Sequence, residues 1–176
     1  AVPASGARVP RATAHKKIQL FRAWATGCPV WCSWQVNYRC NFQCRFCQYW
    51  ADPAGDAPEL TVADFAAGGR KLASLGSLLI SLAGGEPLIR PDLVEIVRSL
   101  ADWHMPFLTT NGWLATPELA EDLFAAGLWG VSISIDYADA ERHDAQRGRP
   151  GAHARALAAI EAFSRARKHK WQRVNW

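Results

Sequence analysis

The chain has 176 residues, of which 49% are hydrophobic and 20% charged, and this balance predicts a folded domain rather than a disordered chain. The net charge is only +4, and no RNA-binding motif accompanies the basic residues, so nucleic-acid binding is not expected. No apolar run approaches the roughly 18 residues of a membrane helix, and residues 1–17 lack the apolar core of a signal peptide. The sequence therefore predicts a cytoplasmic protein without a membrane span.

Residues 1–30 are predicted to be an N-terminal arm and extension, separate from the domain over residues 31–176. Residues 1–17 are rich in Ala, Pro, Gly and basic side chains, which is typical of a mobile arm. Residues 18–30 are more apolar but are interrupted by Gly27 and Pro29, and we expect them to wrap the edge of the domain.

Beyond residue 30, predicted strands alternate with predicted helices. Strands are expected over residues 31–39, 78–82, 106–110 and 131–135. Helices are expected over residues 61–76, 91–102, 116–127 and 152–166. The last three strands start 28 and 25 residues apart, a spacing typical of βα units in a parallel sheet.

Two of these helices have clear N-terminal signals. Thr61 is a predicted N-cap with Asp64 at the third helical position, and Thr116 followed by Pro117 marks the start of another helix. Residues 171–176 look like the start of a fifth strand. The fold class is therefore α/β, a partial TIM-like barrel of about four βα units. Because a complete barrel needs roughly 200–250 residues, the chain is expected to be a fragment of one.

Three cysteines follow the first predicted strand with the spacing CxxxCxxC, namely Cys40, Cys44 and Cys47. Soft thiolate ligands select iron–sulfur clusters, zinc or copper(I). A fully ligated four-iron four-sulfur cluster takes four cysteines, so three leave one iron open to an exchangeable ligand. An open position is typical of a catalytic metal, by analogy with zinc enzymes. A structural zinc site with a distant fourth ligand is the alternative interpretation.

The other two cysteines, Cys28 and Cys32, lie before this triplet. An odd total of five does not suggest a disulfide framework. Two thiols cannot complete a second cluster, so we interpret them as ordinary buried thiols rather than ligands of an auxiliary cluster. The five histidines show no ligand spacing and are expected on the surface or on helix faces.

Distinctive polar and glycine-rich segments follow or close the other predicted strands. They are Gly84-Gly85-Glu86-Pro87, Thr109-Thr110-Asn111-Gly112 and the segment from Ser132 to Asp136. Because active sites of parallel α/β folds lie at the carboxyl ends of the strands, these segments are expected to meet the cysteines. Two glycines let the backbone approach a ligand closely, and Glu86 could accept a charge-assisted hydrogen bond from an ammonium group.

Each of these segments also has an ordinary structural interpretation. Gly and Pro punctuate any turn, so the Gly84–Pro87 segment could be a simple loop. Ser134 could pack in the sheet, and Asp136 could cap a turn. Phe46, between the second and third cysteines of the triplet, could be a core residue, as aromatic side chains usually are.

Together, Cys40, Cys44 and Cys47, with the aromatic Phe46 before the last cysteine, resemble the CxxxCxφC motif of the radical S-adenosylmethionine (radical SAM) superfamily. One βα unit later, Gly84-Gly85-Glu86-Pro87 resembles its GGEP motif. The resemblance covers roughly residues 31–170. It implies an enzyme with a four-iron four-sulfur cluster on the three cysteines and S-adenosylmethionine (SAM) as second cofactor. The reduced cluster would cleave SAM to a 5′-deoxyadenosyl radical, which abstracts hydrogen from a substrate.

The resemblance also implies which residues contact SAM. The GGEP segment would contact its amino group, and Ser134 and Asp136 would contact its carboxylate or ribose. The catalytic groups that act on the substrate are not identified. The remaining candidates have weaker motifs: Thr110 and Asn111 match the TNG found after the third strand, Phe46 would pack on the adenine, and Arg147 resembles a basic position that can reach the carboxylate.

The partners implied are a one-electron reductant, similar to flavodoxin or ferredoxin, and an unidentified small-molecule or peptide substrate. The pattern looks closest to the branch containing molybdenum-cofactor synthesis and peptide-modifying maturases. A typical member adds a fifth and a sixth strand, so we expect that this chain alone lacks much of the substrate cavity. The alternatives are a zinc-stabilised binding module and a non-catalytic fragment, whose unpaired sheet edge would favour aggregation.

Overall fold

The computed structural model describes residues 13–51, 58–76 and 78–176. Within these ranges the strands are β1 Trp31–Asn37, β2 Leu79–Gly84, β3 Met105–Thr110, β4 Gly130–Ile133 and β5 Arg173–Asn175. The helices are α1 Thr13–Thr26, α2 Val62–Ser74, α3 Leu93–Ala101, α4 Pro117–Ala125, α5 Ala140–Arg147 and α6 Ala152–Ala166. A 3-10 turn, Pro87–Ile89, links β2 to α3.

The strands form one parallel sheet in the order β1-β2-β3-β4-β5. Spatial order equals chain order, as expected when each βα unit adds the next strand to the same side of the sheet. The predicted α/β fold with a parallel sheet is confirmed, including the fifth strand within residues 171–176. All carboxyl ends of the strands therefore lie at one edge, where the sequence predicts the site.

One face of the sheet packs against the helices. In α3, residues Leu93, Ile96, Val97 and Leu100 are buried at the spacing of one helical face. Strand residues such as Ile80, Leu82, Leu108 and Val131 are fully buried in the same core. On the other face, Trp31, Ser33 and Gln35 of β1 are exposed. No described helix is long and apolar enough to cross a membrane.

The two predicted N-caps are confirmed. Thr61 and Asp64 form a reciprocal capping box at the start of α2, and the Thr116 hydroxyl accepts a hydrogen bond from the Leu119 amide at the start of α4. Most boundaries differ from the predictions by one or two residues. One difference matters for the site: β4 ends at Ile133, so Ser134 lies beyond the strand rather than within it.

Helix α1 corrects part of the N-terminal prediction. Residues 13–17 belong to this helix and not to a mobile arm, whereas residues 1–12 lie outside the described residues. Gly27, with φ +70°, follows the helix end, so it terminates α1 rather than interrupting it. The Lys16 ammonium donates to the carbonyls of Ala101 and His104, both at 2.6 Å, and so anchors α1 to the end of α3.

Helix α5 was not predicted at all. Its N-cap is Asp139, whose carboxylate accepts a hydrogen bond from the Arg142 amide at 2.8 Å, and Gly148, with φ +65°, ends it. The single buried residue of this helix is His143. A short helix with one buried side chain has no hydrophobic periodicity, which explains why the sequence pattern did not reveal it.

Candidate active site

A cleft of about 190 Å³ lies at the carboxyl ends of the strands. It brings together most of the predicted site residues. The predicted site residues that line this cleft are Cys40, Cys44, Phe46, Cys47, Gly84, Gly85, Glu86, Thr110, Asn111, Ser134 and Arg147. Pro87 and Asp136 lie outside the lining. Pro87 is buried at the start of the 3-10 turn, and Asp136 is held by Arg147.

The cysteine loop, residues 40–47, folds over a small hydrophobic core of its own. Phe42 and Cys44 are buried with Ala152 of α6, and Trp113 packs against them. The Trp50 indole N–H donates to the Cys44 carbonyl at 3.0 Å. Cys40 and Cys47 are half-buried. The thiols are therefore held in place by packing rather than displayed on a free loop.

The turn between α5 and α6 holds the cysteine loop from the outside. The Arg45 amide donates to the Gln146 carbonyl at 3.0 Å, and the Arg149 guanidinium donates to the Asn41 carbonyl at 2.7 Å. Arg149 also lies over the Trp113 ring, 4.0 Å from its centroid. A Cβ on Gly148 would collide with the Gln43 carbonyl. The unpredicted helix α5 and the turn after it thus position the cysteine loop.

The two glycines at the carboxyl end of β2, Gly84 and Gly85, hold the cysteine loop from the inside. The Gly85 amide donates to the Asn37 carbonyl at 3.1 Å, and the Glu86 amide donates to the Arg39 carbonyl at 2.8 Å. A Cβ on Gly84 would collide with the Asn37 carbonyl, and one on Gly85 would collide with the Arg39 carbonyl. From the sequence alone, both glycines are expected to allow close approach of a ligand. In the structure, the group they approach closely is the backbone that leads into the cysteine loop.

Glu86 joins the ends of β2 and β3 and is only 1% exposed. Its Oε1 accepts hydrogen bonds from the Thr110 hydroxyl at 2.7 Å and the Leu88 amide at 2.9 Å, and its Oε2 accepts from the Asn111 amide at 2.8 Å. Burial raises the pKa of this carboxyl, and the three hydrogen bonds oppose that rise. A carboxylate offers about four acceptor positions, and these hydrogen bonds take two on Oε1 and one on Oε2.

Thr110→Val is expected to destabilise the fold by about 1–3 kcal/mol, because it leaves buried polar groups unpaired. The Thr110 hydroxyl donates to Glu86 and accepts from the Gly112 amide at 3.0 Å, and valine can do neither. Urea unfolding would measure the difference. The matched control is Thr109→Val on the exposed side of the same strand, with an expected change within about 0.5 kcal/mol. Equal costs for the two variants would contradict the role assigned to Thr110.

Arg147 and Asp136 form a two-pronged ion pair at the rim of the cleft. Arg147 Nε lies 2.8 Å from Asp136 Oδ2, and Nη2 lies 2.8 Å from Oδ1. The same guanidinium lies over the Phe46 ring, 5.2 Å from its centroid. Phe46 is 55% exposed, so its interpretation as a core residue is wrong. Both Asp136 and Arg147, predicted as separate SAM contacts, are engaged with each other in this structure.

His143 lies on a helix face, as expected, but it is on the buried face of α5 and contacts the backbone of Asp136. It is 1% exposed, and its Nδ1 accepts a hydrogen bond from the Asp136 amide at 3.2 Å. An accepting Nδ1 requires the neutral ring with its proton on Nε2. Burial, followed by the nearby Arg147 charge, lowers the pKa of His143 and favours this neutral form.

The depressed pKa of His143 predicts a loss of stability in mild acid. Below about pH 6.5 the unfolded chain protonates this histidine while the folded chain resists, so stability present above that pH falls as the pH decreases. His143→Asn keeps an acceptor near the Nδ1 position but does not titrate. Thermal unfolding between about pH 7 and about pH 5 should therefore show a smaller decrease for the variant. Parallel decreases would contradict the prediction.

The thiols of the cleft fit an iron–sulfur cluster in their chemistry. Burial first, and neighbouring thiols and carboxylates after it, raise the pKa of Cys40 and of Cys44, so a cationic metal centre is the partner that would favour both thiolates. Among the described residues, no group of three or more His, Cys, Asp or Glu side chains could hold a single metal ion. A cluster binds each thiolate to a different iron, so its ligands need not converge on one point.

Comparison with known proteins assigns the family. Residues 34–174 match the family model described as the Radical SAM superfamily. The chain belongs to the radical SAM superfamily. The resemblance inferred from the cysteine and GGEP motifs is thereby confirmed, and the zinc-binding alternative is not favoured. Enzymes of this superfamily use a four-iron four-sulfur cluster and SAM, and they need a reductant and a substrate.

Several curated radical SAM relatives are similar to most of the chain. The AdoMet-dependent heme synthase of Methanosarcina barkeri is 42% identical over 142 residues, which cover 80% of this chain and 41% of the synthase. The mycofactocin maturase MftC of Mycobacterium ulcerans is 33% identical over 139 residues, covering 78% and 37%. A GTP 3′,8-cyclase of Cyanothece sp. is 40% identical over 125 residues, covering 58% and 35%. The chain thus spans less than half the length of these relatives.

Solved radical SAM structures share the fold. Streptococcus suis SuiB bound to S-adenosylmethionine aligns with a TM-score of 0.69 at 18% identity, over 85% of this chain and 35% of SuiB. SuiB bound to its precursor peptide SuiA aligns with a TM-score of 0.68 at 16% identity, over 93% of this chain and 38% of SuiB. The predicted partial TIM-like barrel is confirmed by this likeness.

Three residues that line the cleft of this radical SAM chain were not predicted from the sequence, namely Phe42, Tyr49 and Ala83. Thr109 also lines the cleft and belongs to the predicted Thr109–Gly112 segment. Ala83 precedes the GGEP segment near the carboxyl end of β2, so its position in the strand could have indicated it. No local signal marks Phe42 or Tyr49 as cleft residues.

Cys28 and Cys32 are both half-buried, so their prediction as buried thiols is only partly right. Neither lines the cleft. Cys28 borders a larger groove of about 290 Å³ between α1 and the end of α2. That groove contains no predicted site residue, so its greater size does not make it the candidate active site of this radical SAM domain.

Proposed function

We propose that this chain is the core of a radical SAM enzyme that reductively cleaves SAM and uses the 5′-deoxyadenosyl radical to abstract hydrogen from a substrate. The supporting observation is one cleft that gathers three thiols with Gly84, Gly85 and Glu86 and with polar groups at the carboxyl ends of β3 and β4. Cys40, Cys44 and Cys47 would ligate the four-iron four-sulfur cluster. The bound cluster supplies the electron that cleaves SAM, while the protein holds and orients both cofactors.

The contacts in the cleft support a division of roles among the predicted SAM residues. Glu86 has one acceptor position open on Oε2, which suits an ammonium donor such as the SAM amino group. Thr110 and Asn111 already donate to Glu86, so we assign them to positioning this carboxylate. Pro87 begins the buried 3-10 turn and fixes the direction in which the GGEP segment leaves the cleft.

The rim of the cleft supplies the remaining predicted contacts. Phe46 is exposed and can receive the flat face of adenine. Arg147 can offer its guanidinium to the SAM carboxylate, while Ser134 and Asp136 offer a hydroxyl and a carboxylate to the carboxylate or the ribose of SAM. Because Arg147 and Asp136 pair with each other here, SAM binding on these residues would require that ion pair to loosen.

The partners follow from the same chemistry. A low-potential one-electron donor of the flavodoxin or ferredoxin type would reduce the cluster, and the substrate would be a small molecule or a peptide. The names of the relatives include a heme synthase, a GTP cyclase and a mycofactocin maturase, so they favour no single substrate class. Free thiols in a cluster-binding loop suit a reducing compartment, for which the cytoplasm is our proposal.

The test is anaerobic reconstitution of the chain with iron and sulfide. We expect about four irons per chain and an electron paramagnetic resonance (EPR) signal of the reduced cluster that changes on adding SAM. Cys44→Ser should lose the cluster, whereas the control Cys32→Ser, outside the cleft, should retain it. Bound zinc without a cluster would overturn the proposal. A cluster signal that ignores SAM would overturn the assignment of the SAM site.

A further inference from the structure

Arg147 occupies an unusual position among the charged residues of the described structure. Of the residues that line the cleft, Arg147 and Glu86 are the charged ones. The Arg147 side chain is only 12% exposed, and its charge is directed at Asp136, whose side chain is 29% exposed. The guanidinium also covers the ring of Phe46, which lies between Cys44 and Cys47 in the sequence. A partly buried cation therefore lies against the cysteine loop.

Backbone and cleft contacts hold this ion pair beside the cysteine loop. The Arg45 amide, next to Cys44, donates to the carbonyl of Gln146, next to Arg147, at 3.0 Å, and Arg147 lines the cleft together with all three cysteines. Asp136 is joined to the same guanidinium at 2.8 Å, so both charges lie close to the thiols. Because Cys44 is 6% exposed, solvent screens these interactions only weakly.

We propose that the Arg147–Asp136 pair sets the reduction potential of the cluster bound at Cys40, Cys44 and Cys47, with Arg147 raising the potential and Asp136 lowering it. This inference rests on the proposed function. It assigns the pair a role before SAM binds, in addition to any contact with SAM. Arg147 and Asp136 act here through their charges at the wall of the cleft, and neither is a ligand of the cluster.

The physical reason is the charge change on reduction. One electron from a low-potential donor enters the cluster, no bond to the protein breaks and no proton moves, so the cluster and its thiolates gain one negative charge. A nearby cation stabilises that added negative charge, and a nearby carboxylate destabilises it. A neutral ion pair balances the two effects. Disturbing one partner should therefore move the potential in a direction set by the partner that remains.

The experiment is an EPR-monitored redox titration of the reconstituted chain without SAM, so that changes in SAM affinity play no part. Arg147→Gln leaves the Asp136 carboxylate unbalanced, and we expect a more negative potential than in the wild type. Asp136→Asn leaves the guanidinium unbalanced, and we expect a less negative potential. The double variant should return close to the wild-type value. Arg147→Lys keeps the charge and should shift less than Arg147→Gln.

The matched control is Arg142→Gln, which removes the same charge from the exposed side of the same helix. Arg142 lies over the Tyr137 ring, 4.2 Å from its centroid, and does not line the cleft. Its potential should equal that of the wild type. Shifts of the same sign in Arg147→Gln and Asp136→Asn, or none in either, would overturn the inference. If Arg147→Gln does not load a cluster, the direction of the potential shift in Asp136→Asn still tests the inference. Failure of the wild type to load a cluster would instead contradict the proposed function.

Discussion

Gly85→Ala is expected to remove most of the cluster from the reconstituted protein and to reduce the free energy of unfolding by about 3 kcal/mol. The new Cβ would collide with the Arg39 carbonyl and approach the Cys40 amide at 3.0 Å, and both atoms belong to the backbone. A flexible side chain could rotate away, whereas this backbone must shift as a unit. Because Cys40 is the first residue of the cysteine loop, such a shift would move the first ligand relative to Cys44 and Cys47.

Iron content per chain and urea unfolding measure the two effects separately. The control is Gly27→Ala, which has φ +70° but no atom within 4 Å of the added Cβ. It should cost about 1–2 kcal/mol from backbone strain and leave iron loading unchanged. Gly84→Ala, whose Cβ meets the Asn37 carbonyl, should behave like Gly85→Ala. Full iron loading in Gly85→Ala would show that the glycines do not position the loop.

The site could be predicted from the sequence to the extent that its signals are local. The cysteine spacing and the GGEP segment are short motifs. Active sites lie at the carboxyl ends of parallel strands, and this rule predicts from the sequence alone that the two motifs are close in space. The same rule placed Ser134 and Asn111 at the cleft, and the structure agrees. What these signals share is that each is encoded within a few consecutive residues.

Contacts between distant segments could not be predicted in this way. Arg149 donates to the Asn41 carbonyl across 108 positions of sequence, and nothing near either residue indicates the other. The pairing of Arg147 with Asp136 depends on α5 turning back toward β4, and α5 has too few buried residues to show a helical period. The burial of His143 has the same origin. Sequence therefore predicted the candidate ligands but not the residues that position them.

Arg90→Met is expected to lower the free energy of unfolding by about 2–4 kcal/mol, since it leaves several polar groups without their partner. The Arg90 side chain is 5% exposed. It donates to the Val36 carbonyl at 2.9 Å and the Leu60 carbonyl at 3.0 Å, and it pairs with Asp92 at 2.6 Å. The β1–β2 register shifts between Gln35 and Asn37, so the Val36 carbonyl at this irregularity finds its partner in Arg90.

This arginine links stability to the site because Val36 lies four residues before Cys40. Loss of the Val36 contact should loosen the end of β1, and we expect iron loading to fall together with stability. The hydrogen bond from Arg90 holds the pKa of Asp92 below its usual range, so the pair stabilises the fold above about pH 4 and this contribution is lost as the pH falls further. The variant should accordingly lose less stability than the wild type in that acid range.

The control is Arg98→Met on the exposed face of α3. The Arg98 side chain is 59% exposed and lies 3.6 Å from Glu95, a surface pair that contributes little. Its replacement should change the free energy of unfolding by no more than about 0.5 kcal/mol and leave iron loading intact. Similar costs for Arg90→Met and Arg98→Met would mean that the buried guanidinium is not what holds the end of β1. A large cost with normal iron loading would instead separate the stability of the barrel from the positioning of the cysteine loop.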